Sequence, residues 1–289
     1  MIKRLYIFII LLAFSSCLKE KYLDNEFVKH IVVEGHIAQD DVARVMLTFN
    51  MVPSEDISEE TLRDKIIKYM VVRVTEIVDG VAGTSEELVG SIDAKYPTHY
   101  LYQGAFILGK VGCKYRLDIE DSYSNQRWSA TTIIPAPNEL YNITAEKVDE
   151  KFYRLKATIK PNADNLPYMV RCATAFTQEA RPHYYPLALF GLIECCDKET
   201  TITINRPLDY ENIFQYSTLF LHEEDVYIQF CTMSKFGYDY WSVWENCTLN
   251  SLNPVFPVDE EPPTNITGDA SGIWMGYGVS YYTIKPMIR

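Results

Sequence analysis

The chain reads as all-β, with two β-sandwich domains, the first immunoglobulin-like, and one short aromatic helix in the second. Three observations predict this. From Val28 onward apolar residues recur with a period of two rather than 3.6. Turn residues such as Asp79-Gly80 and Val111-Gly112 separate short runs. One proline-rich break, Ile134-Pro135-Ala136-Pro137-Asn138, divides the pattern in two.

Taken in order, residues 1–16 read as a signal peptide. Residues 5–14 are apolar throughout, but a helix that spans a bilayer needs about 20 such residues. Lys3 and Arg4 before the run and Ser15-Ser16 after it match the charged, apolar and small-residue sections of a secretory signal. Ending on Cys17, the pattern is similar to a bacterial lipobox, whose thiol receives a diacylglycerol and becomes the new N-terminus; Phe14 stands where Leu is usual. The alternative is ordinary signal cleavage, with Cys17 a chance thiol. Acyl chains contribute ~0.8 kcal/mol per buried methylene, and two give stable anchoring. Cys17, not the apolar run, is therefore expected to hold the protein in a membrane. Residues 17–27 are polar and read as a lipidated tether. Its Lys19-Glu20 partly matches the export signals of Bacteroidota-type lipoproteins, which sets the expected location at the outer membrane, facing the exterior, with the periplasmic face as the alternative.

Residues 28–135 form the first expected domain. In "CKYRLDIE", Tyr115, Leu117 and Ile119 point one way and Lys114, Arg116, Asp118 and Glu120 the other. With "HIVVEGHI", "VARVMLTFN", "YMVVRVTEIV", "EELVGSI", "YLYQGAFIL" and "RWSATTIIP" this makes about seven short strands, the count of an immunoglobulin-like sandwich. The insertion "PSEDISEETLRDKIIK" reads as an acidic loop, with Ser58 placed to cap a short helix. Residues 138–289 form the second domain. Alternation resumes in "FYRLKATIK", "PYMVRCATAF", "TTITINR" and "DVYIQFCTM". In "KFGYDYWSVWENCTL", Phe236, Tyr240, Trp244 and Cys247 recur at helical spacing, so a helix near 236–249 is expected to lie against the sheet. A proline-rich loop and a Gly-aromatic closing strand end the chain.

The formal charge is −12, and −14 once Lys3 and Arg4 are lost. Nucleic acid is an unsuitable partner for so acidic a chain, because phosphates demand a basic face. The 21 Tyr, 13 Phe and 4 Trp suit interfaces and flat ligands, and equally the pleated surfaces of a β-rich protein. Besides Cys17 there are six cysteines. Their even number permits disulfides in an exported chain, and one or two bridges are expected in the second half, with some free buried thiols.

No catalytic signature appears, and the chain is read as a non-enzyme without cofactor or metal. "HEEDV" opens like a zincin motif but has Val226 where the second histidine is needed. "GYGVSY" opens like a dinucleotide loop but has Tyr281 at the third glycine position. His183 and His222 lack a partnered nucleophile in sequence. The acidic triplets ending at Asp225 and Glu261 offer oxygen ligands to calcium, though a charge run more often forms a solvated loop.

"YDYWSVWENC" and "NPVFPVDEEPPTNITGDASGIWMGYGVSYYTI" resemble a family of Bacteroidota outer-membrane lipoproteins, domain of unknown function 4249. The matching positions are Tyr240, Trp241, Pro263, Thr264, Asn265, Ile266, Gly268, Gly272, Ile273, Trp274 and Gly276. "IVVEGHI", "GCKYRLDIED" and "WSATTIIP" are similar to its earlier strands, while Met275 stands where the family often has glycine, and the insertion at 54–68 is not a shared feature. The resemblance implies a setting beside TonB-dependent outer-membrane receptors and an accessory or binding role in nutrient uptake. It supplies no catalytic residue.

The residues expected to bind a ligand or partner are Trp274, Tyr277 and Tyr281, in a run too glycine-rich for an ordinary core strand, with Pro263 and Asn265 in the loop before it. The competing reading is that Trp274 and Tyr277 lock the final strand against the Trp241–Trp244 helix. A structural or adhesion-type envelope scaffold without a small ligand is the alternative function, and a surface hydrolase the third; a converging carboxylate or His-Asp pair would revive the hydrolase.

Overall fold

A computed structural model describes residues 28–51, 58–92, 100–175, 191–206, 218–251 and 260–285. The signal segment, Cys17, the tether to residue 27, His183 and Asp259 lie outside those residues.

The first sandwich is built by β1 (Ile31–Ala38), β2 (Val42–Phe49), β3 (Val71–Val78), β4 (Val81–Glu87), β5 (Val89–Ile92), β6 (Tyr100–Leu108), β7 (Lys114–Glu120) and β8 (Arg127–Ile133). The alternation in β7 is realised, since Tyr115, Leu117 and Ile119 are all buried. The Tyr115 hydroxyl accepts from the Lys110 N–H at 2.9 Å, the back-bonded tyrosine corner of immunoglobulin-like sandwiches. "EELVGSI" is two strands rather than one. Leu88 buries its side chain, donates its N–H to Val72 O at 2.8 Å, and turns the chain from β4 in one sheet to β5 in the other. The insertion carries a helix, α1 (Glu59–Lys65), whose first turn is capped by Ser58 Oγ accepting from the Thr61 N–H at 3.1 Å.

The second sandwich uses β9 (Leu140–Lys147), β10 (Phe152–Ile159), β11 (Tyr168–Ala175), β12 (Leu192–Ile193), β13 (Thr200–Ile204), β14 (Phe220–Leu221), β15 (Asp225–Thr232) and the long closing strand β16 (Ala270–Ile284). Between β15 and β16 lies α2 (Lys235–Ser251), the aromatic helix expected from its spacing. β12 and β14 have two residues each, too few to show a period.

The two sandwiches share one sheet. Eight strands run in the order β12-β11-β15-β16-β1-β2-β6-β5. β16 holds the two halves together by changing partner along its length: Ala270 to Tyr277 pair in parallel with β1, and Gly278 to Ile284 antiparallel with β15. Alternation then divides its side chains. Trp274 faces the first core, between the large sheet and the β4-β3-β7-β8 sheet, and Tyr282 packs on the second core, against the sheet of β9, β10, β13 and β14. Ile273, Met275, Tyr277 and Val279 face the other way, where Tyr240 and Trp241 of α2 cover them. Both cores therefore lie on one face of the large sheet and α2 on the other.

The glycines of β16 have a steric cause. A Cβ on Gly276 would stand 2.5 Å from Ile133 O, and one on Gly278 would stand 2.8 Å from Pro137 N and closer still to Pro135 O. The linker between the sandwiches crosses directly over these two residues, and only a bare α-carbon admits it. Gly276 N–H donates to Thr132 Oγ1 at 2.8 Å, and Ser280 Oγ donates to Asn138 O at 2.8 Å, so the linker is fastened on both sides of the crossing.

The expected disulfides are not formed: all six described cysteines are free. Cys172 and Cys231 sit on adjacent strands, but Met169 opposes Cys231 and Ile228 opposes Cys172. The odd offset sends Cys172 into the second core and Cys231 beneath α2, on opposite faces of the sheet.

Candidate functional site

The five residues proposed from sequence do not converge. Trp274 is 1% exposed, with its indole N–H donating to Tyr115 O at 3.2 Å. Asn265 accepts from the Trp274 N–H at 2.9 Å and donates to Trp274 O at 2.8 Å, so its amide stands in for a neighbouring strand on the edge of β16 turned away from β1. Pro263 lies half-buried two residues earlier. Tyr277 and Tyr281 are on the other face. Tyr277 meets α2 as expected, its hydroxyl accepting from Trp241 Nε1 at 3.0 Å, whereas Trp274 takes no part in that contact because alternation turns it to the opposite face.

Around Tyr277 the helix side of the sheet gathers a polar group. β1 ends at Ala38, opposite Tyr277, while β16 continues, so this group lies at the junction of the two sandwiches. Arg171 of β11 is 6% exposed. Its Nη2 donates to Tyr277 Oη at 3.1 Å, its Nε lies 3.2 Å from Met169 Sδ, and its guanidinium sits 5.0 Å from the Tyr277 ring centroid. Gln229 of β15, 9% exposed, donates Nε2 to Tyr281 Oη at 3.3 Å. From the first sandwich come His36, whose ring meets Tyr277 edge-on at 5.9 Å, and the ion pair of Arg44 with Asp41 at 2.5 Å.

Burial shapes the charges here. Burial first, then the positive charges of Arg171 and Arg44, holds the His36 imidazole down to about 3, so it is neutral at ordinary pH. Burial pushes the Glu34 carboxyl up, against the pull of Arg171. The Tyr277 hydroxyl is pushed up to about 12 and the Cys231 thiol to about 11, in both cases by burial first. Cys231 is thus a thiol, not a thiolate nucleophile. Sequence reasoning missed Arg171, Gln229, Glu34 and His36. The one available signal was an arginine inside the apolar run "YMVRCA".

Among the described residues one serine–histidine contact is formed elsewhere: His30 Nε2 and Ser271 Oγ are 3.1 Å apart. His30 Nδ1 faces the Val28 carbonyl at 3.2 Å and Asn50 Nδ2 at 3.0 Å, so no carboxylate orients the ring as in a catalytic triad. The acids of "HEEDV" are engaged separately: Glu224 accepts from the Leu221 N–H and pairs with Arg206 at 3.0 Å, and Asp225 pairs with Lys285 at 3.0 Å. The His222 ring bonds the Asp149 carbonyl at 3.2 Å and lies 5.4 Å from the Tyr153 ring. Among the described residues no three His, Cys, Asp or Glu side chains converge to hold a metal ion.

No curated protein matches the chain. Among solved structures it is similar to the FN1–FN3 domains of chicken CNTN1, at 11% identity and a TM-score of 0.23, over 70% of this chain and 60% of that one, a likeness too distant to carry an argument. A family model, described as a domain of unknown function, matches residues 20–277. That span takes in the strands of both sandwiches except the second half of β16, which lies beyond Tyr277, and the chain belongs to this family, DUF4249.

Proposed function

We propose that the chain is a non-enzymatic, lipid-anchored binding or accessory protein of the outer membrane, held through Cys17, and that it works beside a TonB-dependent transporter in nutrient uptake. The observation that carries the binding role is the polar cluster at the junction, where one continuous sheet sets groups of both sandwiches around Tyr277. Binding sites favour such junctions, and a site on strands is held more firmly than one on loops. The anchor and transporter rest on the lipobox-like "FSSC" and on the family resemblance. Residues 17–28, fully extended, would let the platform stand up to ~36 Å from the lipid, enough to lie along a neighbouring barrel.

The test is a crosslinked pull-down of the tagged, lipidated protein from outer membranes, beside a Cys17→Ala form. Stoichiometric recovery of a TonB-dependent barrel with the lipidated form alone is the expected result. Recovery of the lipoprotein without a barrel, despite correct anchoring, would sink the transporter role. A second reading, an envelope scaffold, draws on β5, an edge strand of the large sheet that exposes Val89 and Ile92 and so offers unpaired backbone to another chain. Recovery of other envelope proteins in place of a barrel would favour it.

A further inference from the structure

Arg171 carries a positive charge that the described residues do not neutralise. A guanidinium removed from water is costly unless a carboxylate faces it, and Arg171 has no carboxylate within ion-pair distance among the described residues. Asp41 is already held by Arg44. Glu34 acts on Arg171 only through space and forms no ion pair or hydrogen bond there. Of the guanidinium nitrogens, Nη2 is taken by Tyr277 Oη and Nε by Met169 Sδ, which leaves Nη1 without a partner among the described residues.

Gln229 shows a second vacancy. Its Oε1 is sealed from solvent and has no hydrogen-bond partner. Turning the amide by 180° would set Oε1 on the Tyr281 hydroxyl and Nε2 on the unpaired side, a donor in place of an acceptor. Either way one polar atom of a buried amide awaits a partner. Arg171, Gln229 and Tyr281 stand directly opposite one another on β11, β15 and β16. Adjacent strands are ~4.8 Å apart, so the three side chains form a row across one face. Tyr281, 52% exposed, is at its open end.

We propose that the row Arg171–Gln229–Tyr281 binds a carboxylate, with Arg171 Nη1 and Nε2 of the turned Gln229 amide as its donors and the Tyr277 and His36 rings beside them. An arginine beside a second donor matches the two oxygens of a carboxylate. The two rings suit an organic acid with an apolar body or the C-terminal carboxylate of a peptide. The proposal deepens the reading of the chain as a binding protein by giving the chemical class of its ligand.

Trp241, bonded to Tyr277, provides a fluorescent reporter. The full chain in detergent micelles is titrated with benzoate, with a tripeptide ending in phenylalanine, and with that tripeptide's C-terminal amide. A saturable change with at least one free acid is expected, the amide binding at least about tenfold more weakly, and Arg171→Met and Gln229→Leu each weakening the acid by at least about tenfold. Response to benzoate assigns a free organic acid; response to the tripeptide alone assigns a peptide terminus. No saturable response to either acid, equal affinity for acid and amide, or undiminished binding by a folded variant would each overturn the proposal. If Arg171→Met does not fold, Gln229→Leu and Tyr281→Phe decide. Because purified protein is used, failure here leaves the transporter role standing, and failure of the pull-down leaves this site standing.

Discussion

The hydroxyl of Tyr277 accepts a hydrogen bond from Arg171 Nη2 at 3.1 Å, tying β16 to a strand two places away in the sheet. It accepts a second, from Trp241 Nε1 at 3.0 Å, so one oxygen joins the sheet to α2. Tyr277→Phe leaves two buried donors unpaired while keeping the ring. Such donors lose about 1–3 kcal/mol each, and a loss of ~2–6 kcal/mol in urea unfolding is expected. Tyr123→Phe, on a largely exposed ring, should change stability by less than about 0.5 kcal/mol. Similar values for the two variants would show that the hydroxyl holds nothing together.

Where the linker crosses β16, the neighbours of Gly278 are backbone atoms, which cannot rotate aside. Gly278→Ala should cost ~3 kcal/mol, since the linker must lift from the sheet. Gly80→Ala is the contrast. Its φ of +79° disfavours a side chain, but nothing lies within 4 Å, so only the conformational cost of ~1 kcal/mol applies. Thermal unfolding of both variants measures the difference, and equal costs would mean that the linker does not press on the strand.

His36 makes stability fall in acid. Unfolded, its imidazole titrates near 6.5; folded, it is held down to about 3. Between those values the unfolded chain binds the extra proton, so the contribution is complete above pH 6.5 and is lost as pH falls toward 3. Glu34, its pKa raised by burial, works in the opposite sense, its contribution being lost as pH rises through its folded value. Arg171, Arg44 and Asp41 also face the imidazole. From pH 7 to pH 5 the wild type should lose up to ~2 kcal/mol more than His36→Gln, less whatever solvent screens at this half-buried site. Parallel pH profiles for the two proteins would contradict the assignment.

Asn265 offers a test between structure and recognition. Its amide makes two hydrogen bonds to the Trp274 backbone, and Asn265→Ala should destabilise by ~2 kcal/mol and speed hydrogen exchange at the Trp274 amide. If stability and exchange stay as in the wild type while a membrane partner is lost from pull-downs, Asn265 is an interface residue instead.

Much of the strand pattern was legible because a half-buried strand must alternate. Tyr153, Leu155, Ala157 and Ile159 read as one face and are all buried. Phe236, Tyr240 and Trp244 read as a helix and lie on α2. The partners were not legible. Nothing in "SGIWMGYGVSYYTI" says that its first half pairs with residues near position 35 and its second with residues near 230, and the glycines that looked like a flat binding surface are where another chain segment passes.

The sequence by itself determined the all-β class, the two-part pattern, the aromatic helix and the resemblance to DUF4249, because period, turn chemistry and motif are local properties of the chain. Only the tertiary structure decided that both sandwiches share a sheet, that Cys172 and Cys231 lie on opposite faces, and that Arg171, His36 and Trp241 meet at Tyr277. Those outcomes depend on register between strands up to about 240 residues apart in sequence. Shifting a pairing by one residue turns every side chain to the other face while leaving the local pattern unchanged, and so only the assembled sheet settles which side chains meet.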